Sequence, residues 1–239
     1  VITSALVKLS ADTMPKIYLV EGHGETYYEG MVKLIESGSY EMSRLSLFKQ
    51  DIPKDADLII ISSPKVDFSS QELSRLDDYL GKFGNMIMLY GSESPDLPKL
   101  DGYLEEWGVN FEKNIILDPI RYVGNVVQIS PLMKDLEINK NFKDIQDRFL
   151  LTPGARGISI LWESHNKREV NPVLVTSKKA YAKSYENESG LISSIDEEKG
   201  DKKGSANVGV LVQNYDMVDK KVQIGRVLFL SSPAMLSDS

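Results

Sequence analysis

Residues 57–90, DLIIISSPKVDFSSQELSRLDDYLGKFGNMIMLY, leave this chain little choice of fold. The run around Ile59, Ile60 and Ile61 is apolar on both faces and bounded by Asp57 and Pro64, so it reads as a strand covered on both sides. Ser69 or Ser70 can then cap a helix, with Glu72 completing a capping box. Leu73, Leu76, Tyr79, Leu80 and Phe83 recur at helical spacing on one stripe, and Gly84 stops the run. Met86–Tyr90 is the next apolar strand. A helix between two strands of this length is a crossover, which makes the strands parallel and the connection right-handed.

The flanking sequence extends the same pattern. Lys16–Val20 (KIYLV) reads as a strand after Met14-Pro15 breaks a short lead-in helix that carries Ile2, Leu6 and Leu9. Residues 25–36 place Tyr28, Met31, Val32 and Ile35 on one helical stripe, ended by Ser37-Gly38. The alternation of RLSLF (44–48) predicts a strand, and LPKLDGYLEEWG (97–108) a helix with Leu100, Tyr103, Leu104 and Trp107 inward. The expectation is an α/β fold: an open, mostly parallel, doubly wound sheet with an elaborated second half. That second half offers strands at NVVQI, ISILW, PVLVTS, NVGVLVQ and GRVLFLSS, and a helix near residues 135–147. Residues 185–207, polar and glycine-studded, read as a mobile loop or hairpin. No internal repeat and no clean linker divides the chain, so residues 1–239 are expected to form one domain.

Composition narrows the partners. Lys plus Arg number 28 against 35 Asp plus Glu, a formal charge of −7, with no basic run. Such a chain lacks the electrostatic footprint of a nucleic-acid binder. It has no cysteine. Thiol nucleophiles, zinc–thiolate clusters and disulfides are therefore excluded together, and the lack fits the outside of a bacterial cell. No apolar stretch reaches the length of a membrane span. The chain opens mid-pattern at Val1-Ile2-Thr3, which reads as a piece of a longer, membrane-anchored protein.

In an open parallel sheet, ligands bind beyond the carboxyl ends of the strands. Three stretches fall there: residues 21–26, 62–67 and 91–96. Their candidate binding residues are Glu21, Gly22, His23, Gly24, Glu25, Ser63, Lys65, Ser92 and Glu93. Gly22 and Gly24 permit a tight turn, while the flanking acids repel phosphate and favour a neutral hydroxylated ligand or a cation. His23 with Glu21 or Glu25 could serve hydrolysis or group transfer. The plainer alternative is that the glycines shape the turn and His23 hydrogen-bonds locally or packs. Gly91-Ser92-Glu93-Ser94 resembles a nucleophile elbow, but Pro95 stands where that motif needs glycine. LTPGARG (151–157) lacks the Gly-Lys-Ser/Thr of a phosphate loop, and no HExxH spacing is present. Ser177 with Lys178 and Lys179 reads as a helix cap. No catalytic residue, metal ligand or cofactor is expected.

Several segments in this order (ITSALVKL, PKIYLVEGHGE, residues 56–91, LLTPGARGIS, NPVLVTSKKAYA and GRVLFLSSPAMLSDS) resemble the auxiliary components of ABC-type transport systems. Those are related to the gliding-motility-associated GldG-type proteins. The resemblance is carried best by Gly22-His23-Gly24-Glu25, by residues 64–80 and by Thr176-Ser177. It implies a class I glutamine amidotransferase-like or flavodoxin-like sheet, also found in intraflagellar-transport proteins, without the amidotransferase cysteine. It further implies a non-enzymatic extracytoplasmic domain, held on a bacterial membrane by an anchor outside residues 1–239. Its partners would be an ABC permease and ATPase, and its ligand a carbohydrate-like molecule or a protein.

Overall fold

The computed structural model describes residues 14–142, 150–184 and 201–237. The expected lead-in helix, residues 143–147 of the expected helix near 135–147, and residues 185–200 of the expected loop lie outside them.

The parallel half of the sheet is built from β1 (Lys16–Val20), β2 (Glu41–Leu45), β3 (Leu58–Ser62) and β4 (Met86–Leu89). Its helices are α1 (Glu29–Ser37), α2 (Ser70–Leu80) and α3 (Pro98–Glu106). The order β2-β1-β3-β4 is continued by β17 (Lys221–Leu230), which is parallel to β4. Beyond β17 the sheet turns antiparallel through β16 (Asn207–Val218), β13 (Arg168–Val175) and β12 (Ser164–His165). An α/β fold with an open mixed sheet results.

Period-two alternation sorts the core into two layers. Ile59 and Ile61 of β3, Met86 and Met88 of β4, and Phe229 of β17 face Leu76 and Leu80 of α2 and Leu100 and Leu104 of α3. Ile17, Leu19 and Ile60 face Met31 and Ile35 of α1 on the opposite side. Helices on both faces explain why these strands are apolar throughout. Leu76 and Leu80 retain none of their exposure, which contributes about 1.5–3 kcal/mol each.

The capping box forms as expected. Ser69 Oγ accepts from the Glu72 amide, and the Glu72 carboxylate accepts from the Ser69 amide. α3 opens on Leu97, whose side chain cannot cap. Asp67, 33 residues upstream of Leu100, accepts from the Lys99 and Leu100 amides at 2.9 and 3.0 Å and serves as the cap instead.

The structure departs from expectation at several places. α1 starts at Glu29 because the Thr26 amide bonds to the Ser62 carbonyl and holds the preceding chain extended. The second strand covers residues 41–45, since Glu41 pairs with Lys16. Leu47 then reaches the core from a turn held by Arg75, which donates to the carbonyls of Leu47 and Phe48. Residues 137–142 form a 3-10 helix. No helix follows Ser177; its amide and hydroxyl both bind Asp118, a buried cap 59 residues away.

The remaining short strands build a superstructure over the second half. β5 (Val109–Phe111) pairs with β11 (Ile158–Ile160), which meets the start of β16 at Asn207. β6 (Asn114–Leu117), β14 (Tyr181–Ser184) and β15 (Lys202–Lys203) form one three-stranded sheet. β7 (Tyr122–Val123), β8 (Asn125–Ile129) and β10 (Thr152–Pro153) form another, while β9 (Leu132–Met133) adds to β13.

Candidate functional site

β1 leads outward to β2 on one side and to β3 on the other, so the winding reverses between β1 and β3. That switch point is where an open α/β sheet offers a crevice. Here its floor is closed by the protein itself. The Tyr27 hydroxyl donates to the carbonyls of Val20 in β1 and Ile60 in β3. Burial drives the Tyr27 phenol pKa well above its ordinary range, so the hydroxyl stays a donor.

The three strand-end loops meet above this floor. The His23 carbonyl accepts from the amides of Lys65 and Val66, and a Cβ on Gly24 would stand 3.2 Å from Lys65 Cβ. Ser63 Oγ donates to Glu93 Oε1 at 3.1 Å, and Lys65 Nζ reaches the Glu93 carbonyl at 3.2 Å. Ser63 is almost fully buried and takes φ +49°, left-handed for a residue with a Cβ. Such strain persists only where the surroundings impose it. Tyr28 joins the cluster; its phenol titrates above the ordinary value through burial and then the Glu93 charge.

Beneath that mouth lies a second group. His23 Nδ1 stands 3.2 Å from Glu25 Oε1, and Nε2 stands 3.1 Å from Glu72 Oε1. The imidazole is stacked on Phe68 at 3.8 Å with 12° between planes. The side chains of His23, Glu25 and Glu72 keep only 6%, 2% and 6% of their exposure. Every carboxylate oxygen is used: Glu25 Oε2 accepts from the His23 amide, and Glu72 Oε2 from the Ser69 amide and hydroxyl. Burial disfavours the imidazolium, but the Glu25 hydrogen bond and the Glu72 and Glu25 charges outweigh it and raise the His23 pKa. Glu72 moves down for matching reasons: burial opposes its charge, while the Ser69 hydrogen bonds and His23 favour it. Both ring nitrogens face carboxylate oxygens, and a ring that donates to both has no lone pair to offer as base or ligand. Among the described residues no group of three or more His, Asp or Glu is arranged to hold a metal.

Of the residues picked from the sequence, His23, Gly24, Glu25, Ser63, Lys65 and Glu93 come together. Glu21 and Gly22 face elsewhere, the Glu21 amide bonding to Leu45 and Gly22 lying against Ser46. Ser92 lies against Gly154. Sequence reasoning missed Phe68, Asp67 and the second role of Glu72. A capping-box glutamate uses one oxygen for its cap, so a free second oxygen was the available signal.

Two known structures are similar in fold, and a third matches more loosely. The N-terminal domain of mmIFT52 matches at 16% identity with a TM-score of 0.63, covering 93% of this chain and 88% of that one. A ThuA-like protein from Bacteroides uniformis matches at 12% identity and a TM-score of 0.52, over 93% and 84%. A glutamine amidotransferase from Thermotoga maritima matches at 10% identity and a TM-score of 0.42, over 92% and 76%. No curated protein sequence matches the chain. A family model described as ABC-type uncharacterized transport system matches residues 14–238.

Proposed function

This chain belongs to the ABC-type uncharacterized transport system family, and we propose that within such a system it is a non-enzymatic binding module. His23 carries this reading. A general base needs a nitrogen free to take a proton at the reacting centre, and both nitrogens of His23 are taken up by buried carboxylates. The histidine therefore braces the mouth. The alternative, a hydrolase or transferase using His23, keeps Glu25 beside the ring, finds Glu72 where Glu21 was expected, and lacks the free nitrogen.

The groups that face outward are the Lys65 ammonium and the Glu93 carboxylate, the latter held from beneath by the buried Ser63 hydroxyl, on loops locked to one another. A preformed set with both charges suits a polar ligand or a polar patch on a partner subunit. The partners proposed are the ABC permease and ATPase of the same system, with the domain outside the cytoplasm and anchored through chain beyond residues 1–239. No helix of the described residues is long and apolar enough to cross a membrane.

The test is capture of the co-expressed permease–ATPase pair by the tagged domain, wild type against Lys65→Glu/Glu93→Arg. Loss of capture by about tenfold or more in the charge-reversed variant is expected. Turnover of an ester or glycoside by the wild type, abolished in a folded His23→Gln variant, would overturn the proposal.

A further inference from the structure

Two open cavities, about 610 and about 470 Å³, run together along β5 and β6. Glu112, Asn114, Ala182 and Lys202 line both, so they form one groove from Gly102 on α3 to Asn207 on β16. Three of its polar side chains share an arrangement. Asn114 is held through Oδ1, which accepts from the Gly157 amide at 2.8 Å, leaving its Nδ2 donor unused. Asn207 is held through Nδ2, which donates to the Ile158 carbonyl at 3.1 Å, leaving its Oδ1 acceptor unused. Glu112 is held through Oε1, which accepts from Ser159 Oγ and Asn110 Nδ2, leaving Oε2. Each is clamped at one end to the same framework and carries an unused atom at the other. All three are half-buried and held at one end, which restricts their rotamers before a ligand arrives.

A rack of one fixed donor and two fixed acceptors suits a ligand whose groups both donate and accept. Hydroxyls do both. The lining carries Asp101, Glu105 and Glu112 against Lys113 and Lys202, and Lys113 is already paired with Asp96, so the groove has no surplus of positive charge to draw a phosphate or carboxylate. A peptide adding as a strand finds no free edge on β6, which pairs with β14 on one side and through Ile116 to Ala155 on the other. We infer that this groove binds a neutral polyhydroxylated ligand, an oligosaccharide, at a site separate from the Ser63–Glu93 mouth.

Gly102 supplies a clean test, because it lines the groove in mid-helix and a Cβ there would meet nothing within 4 Å. Gly102→Trp obstructs the groove while Gly102→Ala leaves it open, and both should hold the helix. The proteins are titrated by calorimetry and saturation-transfer NMR with maltohexaose, cellohexaose, chitohexaose and xylohexaose, and with hexalysine as the cationic comparison. The expected result is binding of at least one hexasaccharide, weakened about tenfold or more by Gly102→Trp and by Glu112→Gln. Gly102→Ala and the double variant Lys65→Glu/Glu93→Arg should bind as the wild type does, which separates this groove from the mouth. Four outcomes overturn the inference: no hexasaccharide bound by the wild type, binding that survives Gly102→Trp, binding lost on altering the mouth, or hexalysine bound in preference to sugar.

Discussion

His23 Nε2 lies 3.1 Å from Glu72 Oε1, joining the loop after β1 to the first turn of α2 across 49 positions of sequence. The contact makes one carboxylate serve two purposes, capping a helix through one oxygen and holding an imidazolium through the other. Removal of His23 should therefore be felt in the helix as well as in the loop.

His23→Ala leaves Glu25 and Glu72 buried without their counter-charge. Breaking a buried ion pair on one side costs about 3–5 kcal/mol. The expected result is a loss of that order in urea unfolding. Glu72→Gln, which can still cap, should lose less than His23→Ala.

Stability should depend on pH in both directions around this group. His23 titrates above its ordinary 6.5, so its contribution is full below that value and fades as pH rises through its higher folded-state value. Glu72 titrates below its ordinary 4.5, so its contribution is full above that value and fades as pH falls through its lower folded-state value. The pair stabilises most between those two ordinary values. Urea midpoints measured from acid to mildly alkaline pH should fall on the alkaline side in the wild type, and His23→Gln should flatten that fall.

Asp67→Ala removes the side chain that caps α3 from another loop. A lost cap costs about 1 kcal/mol, or roughly 2–4 °C in thermal midpoint for a chain of this size. A change in midpoint no larger than for an exposed Asp78→Ala control would remove Asp67 from this role.

Arg156 is buried between the rings of Tyr90 and Phe111 and donates from Nε and Nη2 to the carbonyls of Glu112 and Phe111. A lysine ammonium cannot reproduce that planar fork. Arg156→Lys should destabilise by about 2 kcal/mol or more in chemical denaturation.

Gly108 has φ +81°, and a Cβ there would stand 2.8 Å from the Trp162 ring. Left-handed backbone alone costs a residue with a Cβ about 1–2 kcal/mol, and the indole must also move. Gly108→Ala should show a loss above that range, with an altered near-ultraviolet signal from Trp162.

Legibility from sequence followed the range of the interaction. The capping box of Ser69 and Glu72 spans three residues, and its chemistry was readable in full. The helix caps that failed were those supplied from a distance. Asp118 takes the Ser177 amide and hydroxyl from 59 residues away, so no helix follows Ser177; Asp67 caps α3 although nothing beside Leu97 suggests it. The strand-end loops could be named from the winding of β1, β3 and β4, because that rule depends only on strand order. Which loop residues face one another depended on side-chain direction, and Glu21 and Glu25 are equivalent in sequence until Leu45 takes the Glu21 amide.

By itself the sequence determined the layering. Apolar residues on both faces of β1, β3 and β4, alternating with one-sided helices, can be buried only in a doubly covered parallel sheet, and that pattern is written locally at periods of 2 and 3.6. Tertiary structure alone decided the chemistry of His23. Whether an imidazole is a base or a brace depends on what stands beside each nitrogen, and Glu72 and Phe68 arrive there only because the β3–α2 connection folds back over the loop from β1.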